Sequence, residues 1–384
     1  MMTKDSVMNI LIIGADPFAE GATTGPPIYI RNLLEGFRGF PECKLNLLCL
    51  GRHEKPPEIV NGIKVYRIKE AIFLKTLLTP VFYKKKIQSI IKEISPDIID
   101  LHMPHKGFIL KGLKIPTVIT VHGIVPEQLK HGIVPKHKML IAPFYRKFWF
   151  EGFKIADCII CFNEHDVEYL KENNISKRVL TIPVPRSKRY FTNKEKDKYK
   201  VLSVGVLNER KNHLSTLKAI KKVKEKIPEI KFCIIGGVSG EGSVVYRQRL
   251  SDYISEHSLA GNVKIISGME NDQIINEYST SALYIQFSTQ ESFPATVIEA
   301  FAGKTPVIGS DIPGTKEAII NGETGFLVDL NDIEELAQKI EYLLKNDNLR
   351  IEMGEKAQKY AKQRFSTETV ARQRIDLYRE LTRN

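Results

Sequence analysis

Two glutamates, Glu291 and Glu299, stand with seven residues between them on a stretch that can also aim them. The run Leu283-Tyr-Ile-Gln-Phe287 has the length and β-rich make-up of a strand. A polar turn, Ser288-Thr-Gln-Glu291, follows it, and Ser292 and Pro294 then mark the start of a helix. Val297, Ile298, Phe301 and Ala302 recur as that helix's buried face. So a strand ends, a loop carries Glu291, and a helix N-terminus offers its unbonded amides beside it. That layout, at the carboxyl edge of an open α/β sheet, is an anion site. An isolated pair of surface glutamates is usually only solvated. Here Thr305-Pro-Val-Ile-Gly-Ser310 supplies a second short strand and Pro313-Gly314 its turn, so the pair belongs to a sheet edge.

A second set of chemistry-bearing residues is Arg210 and Lys211. The strand 200–204 ends at Gly205, and the basic loop Asn208-Glu-Arg-Lys-Asn212 leads into a helix predicted over 214–227. Cations above a helix start suit a diphosphate leaving group, which gains negative charge as its bond breaks. A third candidate is His122, in Thr120-Val-His-Gly123, where a strand ends on the ligand-facing edge of a sheet.

These residues need two α/β domains to hold them, and 384 residues suffice for two cores. Strands are predicted at 10–14, 44–50, 63–68, 98–102, 118–121 and 157–162, with helical patterns between them such as 29–37 and 83–94. That alternation implies a mainly parallel sheet. Ile182-Pro-Val-Pro185 and the charged residues after it read as a linker, which puts the boundary between 1–185 and 186–366. Further strands follow at 232–237, which includes a Gly turn, and at 263–270, and 333–381 is helical. The loop after the first strand, Ala15 to Pro27, carries Gly25 but not G-x-G-x-x-G, so the dinucleotide-dehydrogenase fingerprint is absent.

Glu291-Ser-Phe-Pro-Ala-Thr-Val-Ile-Glu299-Ala-Phe-Ala-Gly-Lys-Thr-Pro-Val-Ile308 resembles the Glu-x7-Glu signature of the retaining, nucleotide-sugar-dependent glycosyltransferases of family 4, also called group 1, with the GT-B fold. Gly314-Thr-Lys-Glu317 and Asn321-Gly-Glu-Thr-Gly-Phe-Leu-Val328 continue the likeness. The resemblance implies two Rossmann-like domains facing a cleft, the first binding acceptor and the second the nucleotide sugar. It also implies a final helix, 367–384, that packs back on the first domain. By the same resemblance Glu291 binds sugar hydroxyls, Glu299 holds the ribose, and the amides of Phe293, Ala295 and Thr296 face sugar and phosphate. Lys211, with Asn212 after it, matches the family's phosphate-binding pair, with Arg210 beside it. Met269 and Glu270 lie along the base, His122 contacts the sugar near the reacting carbon, and Gly25 lets the backbone approach the donor. The chain departs from the family pattern at four places, the first being Gly25, flanked by Thr24 and Pro26 where the family has adjacent glycines. Val206 replaces a phosphate-binding Arg. Pro294 replaces a Gly and lacks an N–H. Lys304 stands where Gly is common.

Bulk composition narrows the partners. Hydrophobic content of 42% and charged content of 27% are ordinary for a globular protein. A net charge of +12 and a pI near 9.2 fit nucleic acid, an anionic membrane or an anionic substrate. No RNA- or DNA-reading motif accompanies the charge, so no nucleic-acid partner is expected. No apolar run reaches transmembrane length. Mixed aromatic and basic stretches at 71–92 and 130–154 suit either a core-facing helix or docking on an anionic bilayer. The run 10–14 reads as a first strand rather than a signal peptide, and residues 1–7 as a tail. Cys158 and Cys161 lie in an apolar run where alternation sends them to opposite faces. They read as buried thiols in a reducing compartment.

The expected activity is sugar transfer with retention from a nucleoside-diphosphate sugar to a glycan or lipid-linked acceptor, in bacterial or archaeal glycan synthesis. It needs no cofactor and no metal, because cations and helix amides neutralise the diphosphate. The expected location is cytoplasmic, with peripheral docking on the inner face of the membrane as its variant. Two alternatives stay open: a nucleotide-sugar epimerase on the same fold, and a non-catalytic nucleotide-sugar-binding protein.

Overall fold

Short β-branched runs flanked by amphipathic helices build two units, Met1–Pro185 with Thr367–Asn384, and Arg186–Ser366. The structure, a computed structural model, describes residues 7–19, 25–51, 54–69, 79–124, 142–291 and 293–383.

The first unit's sheet consists, among the described residues, of β1 (Met8–Gly14), β2 (Cys43–Gly51), β3 (Lys55–Val60), β4 (Ile63–Lys69), β5 (Ile98–Leu101), β6 (Thr117–Thr120), β7 (Cys158–Cys161) and β8 (Arg178–Thr181). Their order is β3-β4-β2-β1-β5-β6-β7-β8. Every pair is parallel except β3 with β4. Central strands β5, β6 and β7 are buried at every position, as strands covered on both faces must be. The sequence reading missed β3. Its Lys-Pro-Pro-Glu start is exposed and costs ladder donors, which only an edge strand tolerates. Asn61 and Gly62, both at positive φ, turn β3 into β4 in two residues. Cys158 and Cys161 are free and buried, and burial pushes both thiols up, Cys158 to about 11. The last helix, Thr367–Arg383, belongs to this unit. It lies so close to the helix Gly25–Phe37 that a Cβ on Gly36 would stand 2.1 Å from the Thr367 carbonyl oxygen.

The second unit holds β9 (Asp197–Val204), β10 (Lys231–Ile235), β11 (Val263–Ile266), β12 (Ser281–Gln286), β13 (Val307–Ser310) and β14 (Gly325–Val328). They form an all-parallel sheet in the order β11-β10-β9-β12-β13-β14. The helix after β9 is His213–Lys224, shorter than the predicted 214–227. Pro228 disfavours helical backbone in the residue before it, and 225–227 close as a turn instead. A Cβ on Gly236 would meet the Gly205 carbonyl oxygen at 1.9 Å, so the loops leaving β9 and β10 are in backbone contact.

In each unit the strand order reverses about the first strand. β1 lies between β2 and β5, and β9 lies between β10 and β12. Connections leave in opposite directions there, opening a crevice at the carboxyl edge.

Candidate active site

In the second unit, β9 and β12 diverge at that switch point, and their two following loops meet. After β9, Asn208 caps a single 3₁₀ turn, Glu209–Lys211, by accepting the Lys211 N–H at 3.1 Å. Asn212 follows in the left-handed region at φ 50° and starts the next helix. Lys211 lies along Gly205, whose Cβ, if present, would stand 2.8 Å from the lysine Cε. The Thr289 N–H donates to the Arg210 carbonyl at 2.8 Å and ties the β12 loop to the β9 loop.

These ties bring Glu291 to both cations. Lys211 Nζ is 2.7 Å and Arg210 Nη1 3.0 Å from Glu291 Oε1. Gln286 Nε2 donates to the same oxygen at 2.9 Å. Gln286 is itself fixed, its Oε1 accepting from Tyr284 OH and Thr296 Oγ1, both at 2.9 Å. The Ser288 side chain also hydrogen-bonds the Glu291 carboxylate. Burial would raise the Glu291 carboxyl, but Lys211 and Arg210 outweigh it and hold the group below its ordinary range. Two cations against one carboxylate leave one positive charge in surplus, which suits an anionic ligand.

Glu299, one helical turn into Ala295–Ala302, is nearly as buried. Burial raises its carboxyl, and Arg186 Nε at 3.5 Å only partly offsets that. The expected row of free amides needs correction at Ala295. Pro294, at φ −80° and ψ 89°, folds the chain into a tight turn, and the Ala295 N–H donates to the Phe293 carbonyl at 3.0 Å. Phe293 packs its ring 5.6 Å from Phe365. Met269 is half-buried against the core beside β12, and Glu270 starts the helix Asn271–Thr280, its N–H donating to Gln273 Oε1 at 3.0 Å. The exposed Val206 offers no charge where an Arg was expected. Lys304 adopts φ 58°, the left-handed geometry that Gly tolerates without strain.

Sequence reasoning missed Gln286 and Arg186. A polar residue inside an otherwise apolar strand was the available signal for Gln286. Arg186 directly follows Pro185 in a segment read as linker, so nothing local marked it.

In the first unit, His122 follows β6 and is half-buried among Tyr29, Phe162 and His102. Its Nε2 lies 2.8 Å from His102 Nδ1. His102 Nε2 lies 3.3 Å from Asp100 Oδ2, close enough for an ion pair but off the line of a hydrogen bond. Asp100 is fully buried and accepts from Arg374 at 2.8 Å, from Thr120 Oγ1 at 2.9 Å and from Tyr378 OH. Burial opposes its ionisation, yet His102 and Arg374 hold it well below the usual carboxylate range. Burial, then His102 and Arg374, push His122 far below the usual imidazole range, so it is neutral near pH 7. Gly25 begins its helix with open space around it, and residues 20–24 of the loop before it lie outside the described residues. The same holds for 70–78 and 125–141, which include much of the two stretches with the membrane-docking reading. No helix among the described residues is long and apolar enough to cross a membrane.

Two family models match consecutive stretches: "Glycosyltransferase Family 4" over residues 24–185 and "Glycosyl transferases group 1" over 186–360. The chain belongs to the group 1 glycosyltransferases. Within the group, it is 32% identical over 180 residues to D-inositol 3-phosphate glycosyltransferase of Corynebacterium urealyticum, covering 46% of this chain and 42% of that protein. The chain spans about half the length, or less, of this and several other curated relatives. Sucrose-phosphate synthase of Thermosynechococcus elongatus shares the fold at a TM-score of 0.79 and 20% identity, over 97% of this chain and 99% of that one. Anabaena HepE, solved with UDP, shares it at 0.72 and 16%, over 97% and 100%. The two parallel-sheet α/β domains of this group 1 chain are those of the GT-B fold.

Proposed function

We propose that this chain moves a sugar from a nucleoside-diphosphate sugar to an acceptor hydroxyl with retention at the anomeric carbon. One observation carries the reading: two cations and Glu291 meet at the crevice where β9 and β12 part. Lys211 and Arg210 neutralise the diphosphate as it gains charge, without a metal ion. Glu291 Oε2 accepts hydrogen bonds from sugar hydroxyls, while the Lys211 contact orients Oε1. Glu299 holds the ribose, with Arg186 positioning it. The UDP bound by HepE and the sugar-transferring names of the relatives support this donor class.

Retention by double displacement needs a carboxylate nucleophile near the sugar. Glu291 is engaged by three donors on Oε1, which lowers its basicity and nucleophilicity. We therefore favour attack by the acceptor on the face the phosphate leaves, with that phosphate taking the hydroxyl proton. The acceptor belongs to glycan or glycolipid synthesis, and the protein works in the cytoplasm or docked on the inner membrane face.

The test combines donor, an acceptor extract and nucleotide detection. Sustained nucleotide release that needs acceptor, and that Glu291→Ala and Lys211→Ala abolish, supports the reading. Sugar isomerisation from donor alone points instead to an epimerase, and binding without turnover to a non-catalytic binder. A covalent sugar trapped on any carboxylate would refute same-face attack.

A further inference from the structure

The second unit carries another charged cavity, on the edge of its sheet opposite the crevice. We propose that this cavity binds a small phosphate-bearing anion, inorganic phosphate or a phosphate monoester, among Lys198, Lys304 and Arg350, at a site separate from Glu291.

The sheet fixes the separation. Its strands are all parallel, so their amino ends share one edge. The cavity, about 350 Å³, is lined at or just before the starts of β9, β12 and β13 by Lys196, Lys198, Ala282 and Pro306. Its volume falls among those of small-ligand sites. Arg210, Lys211 and Glu291 instead follow the carboxyl ends of β9 and β12. Those strands have eight and six residues, which at a strand's rise puts the cavity roughly 20 Å from the crevice.

Positive charge is in surplus there. Lys196 donates to the Gly303 carbonyl at 2.6 Å and to Thr305 Oγ1 at 2.5 Å. Both partners are neutral, and no carboxylate among the described residues pairs with this lysine. Burial, then Lys304, Arg350 and Lys200, pull its ammonium down to about 7. Asp347 is shared by Lys198 at 2.9 Å and Arg350 at 2.7 Å. Lys304 meets Glu355 only at 3.5 Å, and Lys194 donates to the Asn276 amide oxygen at 2.8 Å. With Glu195 as the third acid, five cations face three carboxylates in the lining. The surplus stays positive even with Lys196 neutral, and it suits an anion.

The cations are also held in place. Arg350 is buried and donates to the Leu343 carbonyl at 3.0 Å. Gly354 lets the helix Asp347–Phe365 back directly onto the turn that carries Lys304, since a Cβ there would stand 2.3 Å from the Lys304 carbonyl oxygen. The first turn of that helix borders the cavity, and Asn346 gives it no side-chain cap. Its first amides therefore add donors for an anion. Lys304 stands where the family commonly has Gly, so this charge is a feature of this chain.

Calorimetry on the full chain, with inorganic phosphate and glucose 6-phosphate titrated separately, tests the site. The crevice also attracts phosphate, so Lys211→Ala serves as the background. Binding is expected to persist there, at about millimolar Kd or tighter. Adding Lys198→Gln and Lys304→Gly to that background should weaken it by about tenfold or more, the scale of losing charged hydrogen bonds. Lys304→Gly relieves a left-handed residue, and Asp347 keeps Arg350 when Lys198 is lost, so the pair spares the fold; a cooperative unfolding curve checks this. Glucose 6-phosphate binding more tightly than inorganic phosphate supports the site and names a sugar phosphate as its source. Equal binding, with glucose inert, supports the site and names the free anion. No heat from either ligand up to about 10 mM, or one affinity in every variant, would overturn the proposal. So would binding that Lys211→Ala abolishes and the Lys198→Gln, Lys304→Gly pair leaves intact. None of these readouts depends on sugar transfer.

Discussion

Asp100 and Glu291 are both carboxylates beside an Arg, yet they have opposite standing in the molecule. Asp100 is 0% exposed, and its partners come from three separated segments. Glu291 keeps 10% exposure and gathers Lys211, Arg210 and Gln286 around one oxygen at the edge of the crevice. The difference teaches what each is for. A charge with every partner inside the protein fastens structure, and losing one partner strands another buried charge. A partly exposed charge with surplus cations around it is able to meet a ligand at small structural cost.

The sharpest break in that comparison is Asp100→Ala. It leaves Arg374 buried and unpaired, and denaturant unfolding should show a loss of about 3–5 kcal/mol. Glu291→Gln should cost the fold far less, since Arg210 and Lys211 keep access to water, while sugar transfer is lost. Equal stability losses in the two variants would erase the distinction.

Next in size is Lys211→Ala. Nucleoside-diphosphate binding, followed by calorimetry, should weaken by about 1.5–3 kcal/mol, roughly 10–150-fold, the range for a charged hydrogen bond. Unchanged affinity would reject the site.

The acid limb of stability separates the carboxylates again. Both fold with depressed values, so the stability each contributes is present above its unfolded value, about 4. It is lost as pH falls through the folded value. Glu291→Gln should therefore narrow its gap to the wild type as pH drops below about 4. Glu299 has the opposite sign. Its raised carboxyl favours the fold at low pH and loses that contribution as pH climbs through the raised folded value. Glu299→Gln should thus gain relative stability toward neutral pH, unless packing around residue 299 fails, which a cooperative unfolding curve checks.

The smallest effect is Lys304→Gly. Relief of the left-handed backbone, less the entropy cost of Gly, should stabilise the second unit by about 0.5–1 kcal/mol in thermal unfolding.

Much of the second unit's site was legible in order along the chain. Strand, turn and helix from Leu283 to Ala302 announce themselves by periodicity, and the two cations stand beside a glycine-ended strand. Local backbone rules place such residues at a sheet's carboxyl edge with no need for distant contacts. What stayed hidden there depended on conformation: the Pro294 turn that uses the Ala295 amide, and Arg186 arriving at Glu299 from across the unit.

The residues' own chemistry determined that this is a two-domain, parallel-sheet protein with an acid and two bases at one strand–helix junction. Hydrophobic period and turn-forming residues act over a few positions, and a single sequence displays them. Only the tertiary structure decided which histidine faces which, and that Arg374 completes a charge pair with Asp100 274 residues away. Burial removes water as the competing partner, and its choice of replacement depends on the whole fold rather than on neighbours in the chain.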